Sequence, residues 1–550
     1  MRTVPTSYFL QVLVAFGCLL LPVLLQGSYA FIDSGVAYYF LWTVFLAAVW
    51  LRFRWPVWVC MPLLLVSFSY SGYVVSQHED INFSVVSAII DTDPAELLSY
   101  VRTPGVAKYG CVMVAVIGVL WWLLGGTWLR RRITGNIRLH AAALPVVMIA
   151  CAAIYLITGS GWDKLRMYPS NIFTYGFRFI REVRIAKLQY AKVNYTYAGP
   201  DAAQGPPRLT AVLIVGESAR AANWSLYGYG RPTNPEVAAW MEKSNGRGVV
   251  FRDALSAGRL TMNSVPSMLS PTTAKNFREY CLKPSLLWVF RAGGFRTAVL
   301  SSHISASKFW DGPAHLMMKA AAENKRIERD DLQPAALNAW RTHEAMPRQL
   351  VVMHLFGSHY NYADRYPENF KLFHGGNEMV DTYDNSLAFT DHVLGGIIAE
   401  IEDMSDPAVM FYSSDHGENL DDFGDGNIEH CCREFTRFEI EVPMIFYANK
   451  AFAEAYPRQL AAIRACENQP VSHDNLSQTL LGLAGLTDPQ VYLPAYDLSM
   501  EPHTPQPRFL INSLRESVAE ADIRATPHGR RVTVTARPDH AAKAAGGGNP

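Results

Sequence analysis

The chain has 550 residues, with 49 Lys and Arg against 49 Asp and Glu and a formal net charge of zero. That balance excludes the clustered cationic surface needed to bind a nucleic-acid backbone. Half of the residues are hydrophobic and they crowd the first third, so the length divides into a membrane part and one large soluble domain.

Five apolar runs approach the roughly 20 residues that cross a bilayer as helix: 8–26, 36–51, 57–75, 109–129 and 139–158. Arg2 ahead of the first run also fits a signal peptide. The run is long, lacks a clear small-residue cleavage site and is followed by further spans, so it reads as a retained anchor. Arg2, Arg52, Arg54, Arg130, Arg131, Arg132 and Arg138 fall on one side if the amino terminus is cytoplasmic, as the positive-inside rule requires. Residues 1–160 are therefore expected to form a five-span bundle. The loop 76–108 and everything after span five then lie outside, which in a bacterium is the periplasm. In that outer loop Asp93-Pro94 signals a helix start, and Thr92 and Glu96 are one helical turn apart. They read either as a solvated loop helix or as a polar lip at the headgroups.

Residues 161–207 are expected to hold an interfacial helix and a linker. Phe173, Tyr175, Phe177 and Phe179 interleave with Arg178, Arg181, Arg184 and Lys187, a pattern suited to lying on a membrane surface. Gly205-Pro206-Pro207 closes the linker.

The soluble domain is expected over 208–503. Its first apolar run, 209–215, is of the buried parallel-strand type and ends in Gly216-Glu217-Ser218. A hydroxyl-rich stretch, Thr261-Met262-Asn263-Ser264-Val265-Pro266-Ser267, precedes a helix. Thr261 there reads either as a helix cap or as a nucleophile placed where amide donors face an anion. Further strands are expected at 295–301, followed by His303 and Lys308, and at 349–355, followed by Gly357-Ser358-His359. A helix over 379–402 carries Asp381, Asp384 and Asn385, read as surface or capping groups. Next, Val409-Met410-Phe411-Tyr412 runs into Ser413-Ser414-Asp415-His416-Gly417-Glu418, and Glu429-His430 follows one loop later. Ser472-His473-Asp474-Asn475 reads as a cap on the helix 476–484.

Strands alternating with helices give a mixed, mainly parallel α/β sheet. Open sheets of this kind keep their sites at the carboxyl ends of strands. Glu217, His359, Asp415, His416 and His430 all sit at or just beyond such ends, and a convergence of oxygen and nitrogen donors points to a divalent metal. The eight cysteines show no CxxC or Cys/His finger spacing, which excludes a structural zinc finger and leaves disulfides open. Residues 504–550, rich in Ala, Gly, Arg and Pro, are expected to form a disordered tail.

Taken together, a five-span anchor, Val215-Gly216-Glu217-Ser218-Ala219-Arg220, Thr261 ahead of Ser264-Val265-Pro266, Gly357-Ser358-His359 and Ser414-Asp415-His416-Gly417-Glu418 with Glu429-His430 resemble the phosphoethanolamine transferases. That family modifies lipid A or other envelope glycans and includes the mobile colistin-resistance enzymes. The resemblance implies an alkaline phosphatase/sulfatase-like catalytic domain. It implies zinc held by Glu217, Asp415 and His416, Thr261 as nucleophile and further ligand, and His359 and His430 as catalytic histidines. A second zinc is left open. Lys308 would bind the headgroup, and Thr92 and Glu96 the lipid. The reaction implied is transfer of phosphoethanolamine from phosphatidylethanolamine to lipid A or another lipopolysaccharide or envelope-glycan acceptor. It would run through a phospho-threonine and release diacylglycerol at the inner membrane. Two cysteines that flank the nucleophile in the lipid A enzymes are replaced here by Ala257 or Gly258 and by Ser267, and Ala88 stands where a polar residue is common; the acceptor stays open. Phosphoglycerol transfer or a phosphodiesterase on the same scaffold, and a non-catalytic membrane scaffold, are the alternatives. Sulfatase activity is disfavoured, because no Cys-x-Pro-x-Arg or Ser-x-Pro-x-Arg sequence supplies a formylglycine precursor.

Overall fold

The computed structural model describes residues 170–200, 205–303, 312–344, 346–424, 427–430, 435–512 and 515–527. The five expected spans, Thr92, Glu96 and Lys308 lie outside them. Among the described residues no helix is long and apolar enough to cross a membrane.

In chain order the strands are β1 Leu209–Gly216, β2 Gly248–Val250, β3 Asp253–Leu255, β4 Arg296–Ser301, β5 Glu323–Arg326, β6 Arg348–His354 and β7 Ala408–Ser414. They continue with β8 Asn419–Leu420, β9 Ile428–Glu429, β10 Met444–Ala448, β11 Pro470–Ser472, β12 Phe509–Ile511 and β13 Ser517–Ala519. Seven of them form one sheet in the order β2-β10-β7-β1-β6-β4-β5. Strands β7, β1, β6, β4 and β5 run parallel, and β10 is antiparallel to both β7 and β2. The expected mixed, mainly parallel sheet is what forms. The central strands read as nearly unbroken apolar runs because both of their faces are covered: every residue of β1 and of β7 is buried. The edge strand β5, Glu323-Asn324-Lys325-Arg326, is exposed throughout, and its charges discourage pairing with another chain.

Alternation along β1 sorts the core into two layers. Leu213 and Val215 face one layer with Val352 and Phe411. Val212 and Ile214 face the other with Met353 and Met410. The helices used below are α1 Ser170–Tyr190, α2 Thr261–Leu269, α3 Leu286–Ala292, α4 Glu378–Glu402, α5 Asp474–Leu483 and α6 Glu520–Arg524. Helices α2, α3 and α5 cover the first layer through Val265, Met268, Leu287, Phe290, Leu476 and Leu480. The long α4 covers the second through Leu387, Leu394, Ile397 and Ile401. It begins at Asn377, whose side chain accepts from the Met379 and Val380 amides at 3.0 and 3.4 Å, satisfying two donors that a helix start leaves open.

The expectation that Asp381, Asp384 and Asn385 sit on the surface of α4 is corrected: all three are buried. Asp384 accepts hydrogen bonds from Asn223 (2.6 Å), Tyr229 (2.8 Å) and Arg231 (2.8 Å). Arg231 also pairs with Asp381 at 2.7 Å. Asn385 takes the Leu372 and Phe373 amides, both at 2.8 Å. The segments after β1 and before α4 fold over this end of the helix, so groups that look like a solvated turn become buried cross-links.

Helix α1 buries Tyr175, Phe179, Val183, Ala186 and Tyr190, spaced three and four apart, which is one helical face. Tyr190 meets Trp288 edge-on at 5.9 Å between ring centroids. The opposite side leaves Phe177, Ile180, Ile185 and Leu188 exposed beside the exposed Arg181, Arg184 and Lys187.

The disordered tail expected from 504 is also corrected over its described part. Strands β12 and β13 form an antiparallel pair and α6 follows; Leu510, Ile511 and Ile523 are buried. Arg508 anchors the segment, pairing with Asp253 at 2.8 Å and with both Glu520 oxygens at 2.6 and 2.7 Å. Arg508→Ala strands two partly buried carboxylates and is expected to cost about 3 kcal/mol, seen as a lower melting temperature. An unchanged melting temperature is the outcome a loose tail would give.

Candidate active site

The register of the parallel strands brings the polar tips to one edge. Val215 of β1 lies opposite His354 of β6, Gly216 opposite Ser414 of β7, and Ser301 of β4 opposite His354. Glu217, Asp415, His354 and His303 therefore leave the sheet side by side. The next loop approaches very closely: a Cβ on Gly357 would lie 2.8 Å from the Glu217 carbonyl, and its φ is +52°, a conformation that side chains disfavour. Gly417 is equally constrained, since a Cβ there would stand 2.0 Å from the Phe438 carbonyl.

Glu217, Asp415 and His416 are fully buried, and each offers a donor atom within 4.8 Å of the others. His416 Nε2 stands 3.3 Å from Glu217 Oε1 and 3.5 Å from Asp415 Oδ2. Its Nδ1 lies 2.9 Å from the Gly417 carbonyl, so Nδ1 carries a hydrogen and the neutral ring turns its Nε2 lone pair toward the two carboxylates. Asp415 Oδ1 accepts from the His416 and Ser218 amides at 2.8 and 3.3 Å, whereas the buried Oδ2 has no hydrogen-bond partner. A lone pair and an orphaned carboxylate oxygen facing each other are stable only with a cation between them, either a proton or a metal ion. Two carboxylates and an imidazole suit zinc, so these residues fit a divalent ion.

The electrostatics without a metal follow from the crowding. Burial and the neighbouring Glu217 charge push Asp415 up to about 8. Burial disfavours the His416 cation, but Asp415 and Glu217 overcome it and push the ring up to about 10. Burial likewise opposes the Glu217 charge, yet His416 outweighs it and holds that carboxyl well below the usual range.

Thr261 is the first residue of α2, and the position before it, Leu260, makes no side-chain cap. The Thr261 hydroxyl is not spent on the helix either: Oγ1 lies 3.2 Å from Glu217 Oε2 and 3.5 Å from His416 Nε2. The hydroxyl therefore faces the donor trio. Thr261 is half-buried, so a substrate can reach it.

His359 and His430 line the rim, both half-buried, with ring centroids 6.4 Å apart. The His430 ring is 4.0 Å from that of His416, and its Nδ1 is 3.2 and 3.3 Å from the two oxygens of Glu418. Burial, with the His416 charge beside it, drives His430 well below its ordinary value, and burial drives the Glu418 carboxyl well above its own. The structure thus gathers Glu217, Thr261, His359, Asp415, His416 and His430 at one sheet edge. Lys308, Thr92 and Glu96 lie outside the described residues.

The sequence reading gave no role to three neighbours. Glu418 fixes His430. His354 and His303 form, with Glu217, a second three-donor group, and their rings are 4.7 Å apart. The strand-tip rule would have found His354 had β6 been ended one residue earlier.

The Sulfatase family matches residues 210–486, half of the chain. Phosphoethanolamine transferase EptC of Escherichia coli K12 is 25% identical over 286 residues, 48% of this chain and 48% of that protein, so the match spans about half that relative's length. Phosphoethanolamine transferase EptA of Escherichia coli K12 is 25% identical over 471 residues, 78% of this chain and 83% of that protein. Among solved structures, the integral membrane protein lipooligosaccharide phosphoethanolamine transferase A (EptA) from Neisseria meningitidis has a TM-score of 0.63 at 21% identity, covering 86% of this chain and 92% of that one, a likeness of fold.

Proposed function

Starting from a chain that belongs to the Sulfatase family, we propose that this protein is a phosphoethanolamine transferase. It moves phosphoethanolamine from phosphatidylethanolamine to lipid A or another lipopolysaccharide or envelope-glycan acceptor. The relatives' names support the class. The observation that carries the mechanism is the Thr261 hydroxyl, 3.2 Å from Glu217 and 3.5 Å from His416 at a half-buried position.

Glu217, Asp415 and His416 would hold one zinc ion, with Thr261 as a further ligand; its charge would favour loss of the Thr261 proton at neutral pH and offset negative charge on the transferring group. Glu217 Oε2 accepts from the Thr261 hydroxyl and aims its oxygen at the incoming phosphorus. The Thr261 oxygen bonds to phosphorus as the bond to diacylglycerol breaks in line. The proton that leaves Thr261 passes to His359 or His430, which hands it to the departing glycerol oxygen. In the second half the acceptor oxygen loses its proton to the same group and bonds to phosphorus as the bond from phosphorus to Thr261 breaks, and that proton returns to the Thr261 oxygen. Lys308 is assigned to the headgroup, and Thr92 and Glu96 to the lipid. Five spans in residues 1–160 anchor the protein in a bacterial inner membrane with the catalytic domain in the periplasm. That arrangement concentrates the site at the headgroup plane where its amphiphilic donor lies.

Purified protein given vesicles of phosphatidylethanolamine or of phosphatidylglycerol discriminates donors. Diacylglycerol release from the first at least about tenfold above the second, read by lipid mass spectrometry, is the expected result. The reverse preference would establish phosphoglycerol transfer instead.

A further inference from the structure

One buried histidine takes no part in the chemistry above. His473 opens α5 and is fully buried, at the hydrophobic layer that holds α2. It does not cap its helix: no side-chain cap bond is formed there. Its ring instead reaches in two directions. Nδ1 is 3.2 Å from the amide nitrogen of Ala257. Nε2 is 2.9 Å from the carbonyl oxygen of Ser414 and 3.2 Å from the Ser413 hydroxyl.

These contacts settle the tautomer. A backbone amide can only donate, so Nδ1 accepts and carries no hydrogen. A carbonyl can only accept, so Nε2 carries the hydrogen and donates to Ser414. The two anchor points belong to different parts of the site. Ala257 lies in the segment that runs into Thr261, and Ser414 immediately precedes Asp415. That segment has further supports, beginning with the Ser256 amide, which donates to the Ile440 carbonyl at 2.9 Å. Its Ala257 carbonyl takes the Ile511 amide at 2.8 Å, and its Gly258 carbonyl takes the Ser256 and Ser264 hydroxyls at 2.7 and 3.0 Å.

We propose that His473 is a positioning residue: its neutral imidazole sets the spacing between the nucleophile's segment and the strand end that carries Asp415 and His416. It touches neither substrate nor metal and acts through Thr261. Burial pushes its pKa down to about 3, so the ring keeps this tautomer throughout the range in which the protein works. An imidazole is well suited to the task. It is flat and rigid, and its two nitrogens present an acceptor and a donor on separate edges, so one side chain reaches both the Ala257 amide and the Ser414 carbonyl, which also takes the Ser413 hydroxyl at 3.1 Å.

The inference rests on the transferase reading for its kinetic test only. His473→Ala is expected to slow single-turnover loading of Thr261 by about 10- to 100-fold, the effect of a roughly 1 Å misplacement. The KM for phosphatidylethanolamine is expected to stay within about twofold, because ground-state contacts are untouched. Zinc content per chain should be unchanged. His473→Asn, whose side-chain oxygen can replace Nδ1, should recover most of the lost rate. A His473→Ala rate within about twofold of wild type, or a His473→Asn variant as slow as His473→Ala, overturns the proposal. Amide hydrogen exchange of the 256–260 segment gives a readout that needs no substrate. It should accelerate in His473→Ala and be restored in His473→Asn; equal protection in wild type and His473→Ala overturns the proposal. If wild type loads no phosphoethanolamine, the transferase reading fails, and the exchange result alone still decides the role of His473.

Discussion

Thr261→Ala is expected to lower phosphoethanolamine transfer by roughly 10⁴-fold or more, the usual consequence of deleting a covalent nucleophile. The substitution removes one oxygen at the first position of α2. It leaves Glu217, Asp415 and His416 with all three donor atoms, so the variant should still bind zinc, short of the one oxygen that Thr261 would add. This separates loss of the nucleophile from loss of the site. The decisive measurement is the intact mass of the protein after incubation with phosphatidylethanolamine. Wild type should carry one added phosphoethanolamine and release diacylglycerol; Thr261→Ala should do neither. An Ala variant that still transferred at a few per cent of the wild-type rate would sink the double-displacement mechanism. A wild-type protein with zinc bound, donor intact and no adduct would sink it equally.

Zinc affinity is expected to climb steeply with pH. In the metal-free protein Asp415 sits at about 8 and His416 at about 10, so at neutral pH both hold protons that must leave when a cation binds. Binding that releases two protons strengthens about 100-fold per pH unit. Below pH 8 that slope applies; between 8 and 10 only His416 still yields a proton, and the slope falls to about tenfold per unit. Competition with a chelating dye at pH 6, 7 and 8 measures the slope, and a pH-independent affinity would show that the trio does not share its protons in this way. The metal-free fold should trend the opposite way. Both groups bind protons more tightly folded than unfolded, so they stabilise the metal-free protein most at low pH. That contribution is lost as pH rises, for Asp415 from about 4 to about 8 and for His416 from about 6.5 to about 10.

Much of the site is legible in the sequence for a physical reason. Strands β1 and β7 are buried on both faces, so their apolar runs are nearly unbroken, and the first charged residue after each marks the sheet edge. Glu217, Asp415 and His416 are read in that way. His354 is not, because whether the last residue of β6 lies inside the sheet or at its tip depends on register against β1, a tertiary fact. Asp384 and its partners fail for a related reason. A polar group on a helix looks solvated until the position of a distant segment, here the one carrying Asn223 and Arg231, is known. The end of the chain fails on length. Strands β12 and β13 have three residues each, too few for a period to emerge, and their burial comes from contacts such as Ile511 to Ala257, far back in the chain.

The place of β1 in the sheet also dictates an order of assembly. The first strand made occupies the centre, and both of its neighbours, β6 and β7, are synthesised long after it. During translation β1 therefore emerges with two unsatisfied edges and a sequence that is apolar but for Thr210, and none of the strands in the next hundred residues pairs with it in the folded sheet. Long-range parallel pairing of this kind is slow to form and exposed to aggregation while it waits. The donor trio inherits the same delay. Only Asp415 and His416 are adjacent in sequence, so an emerging chain presents at most two of its three ligands until β7 docks beside β1. Tight capture of an ion would then have to wait until β7 lies beside β1.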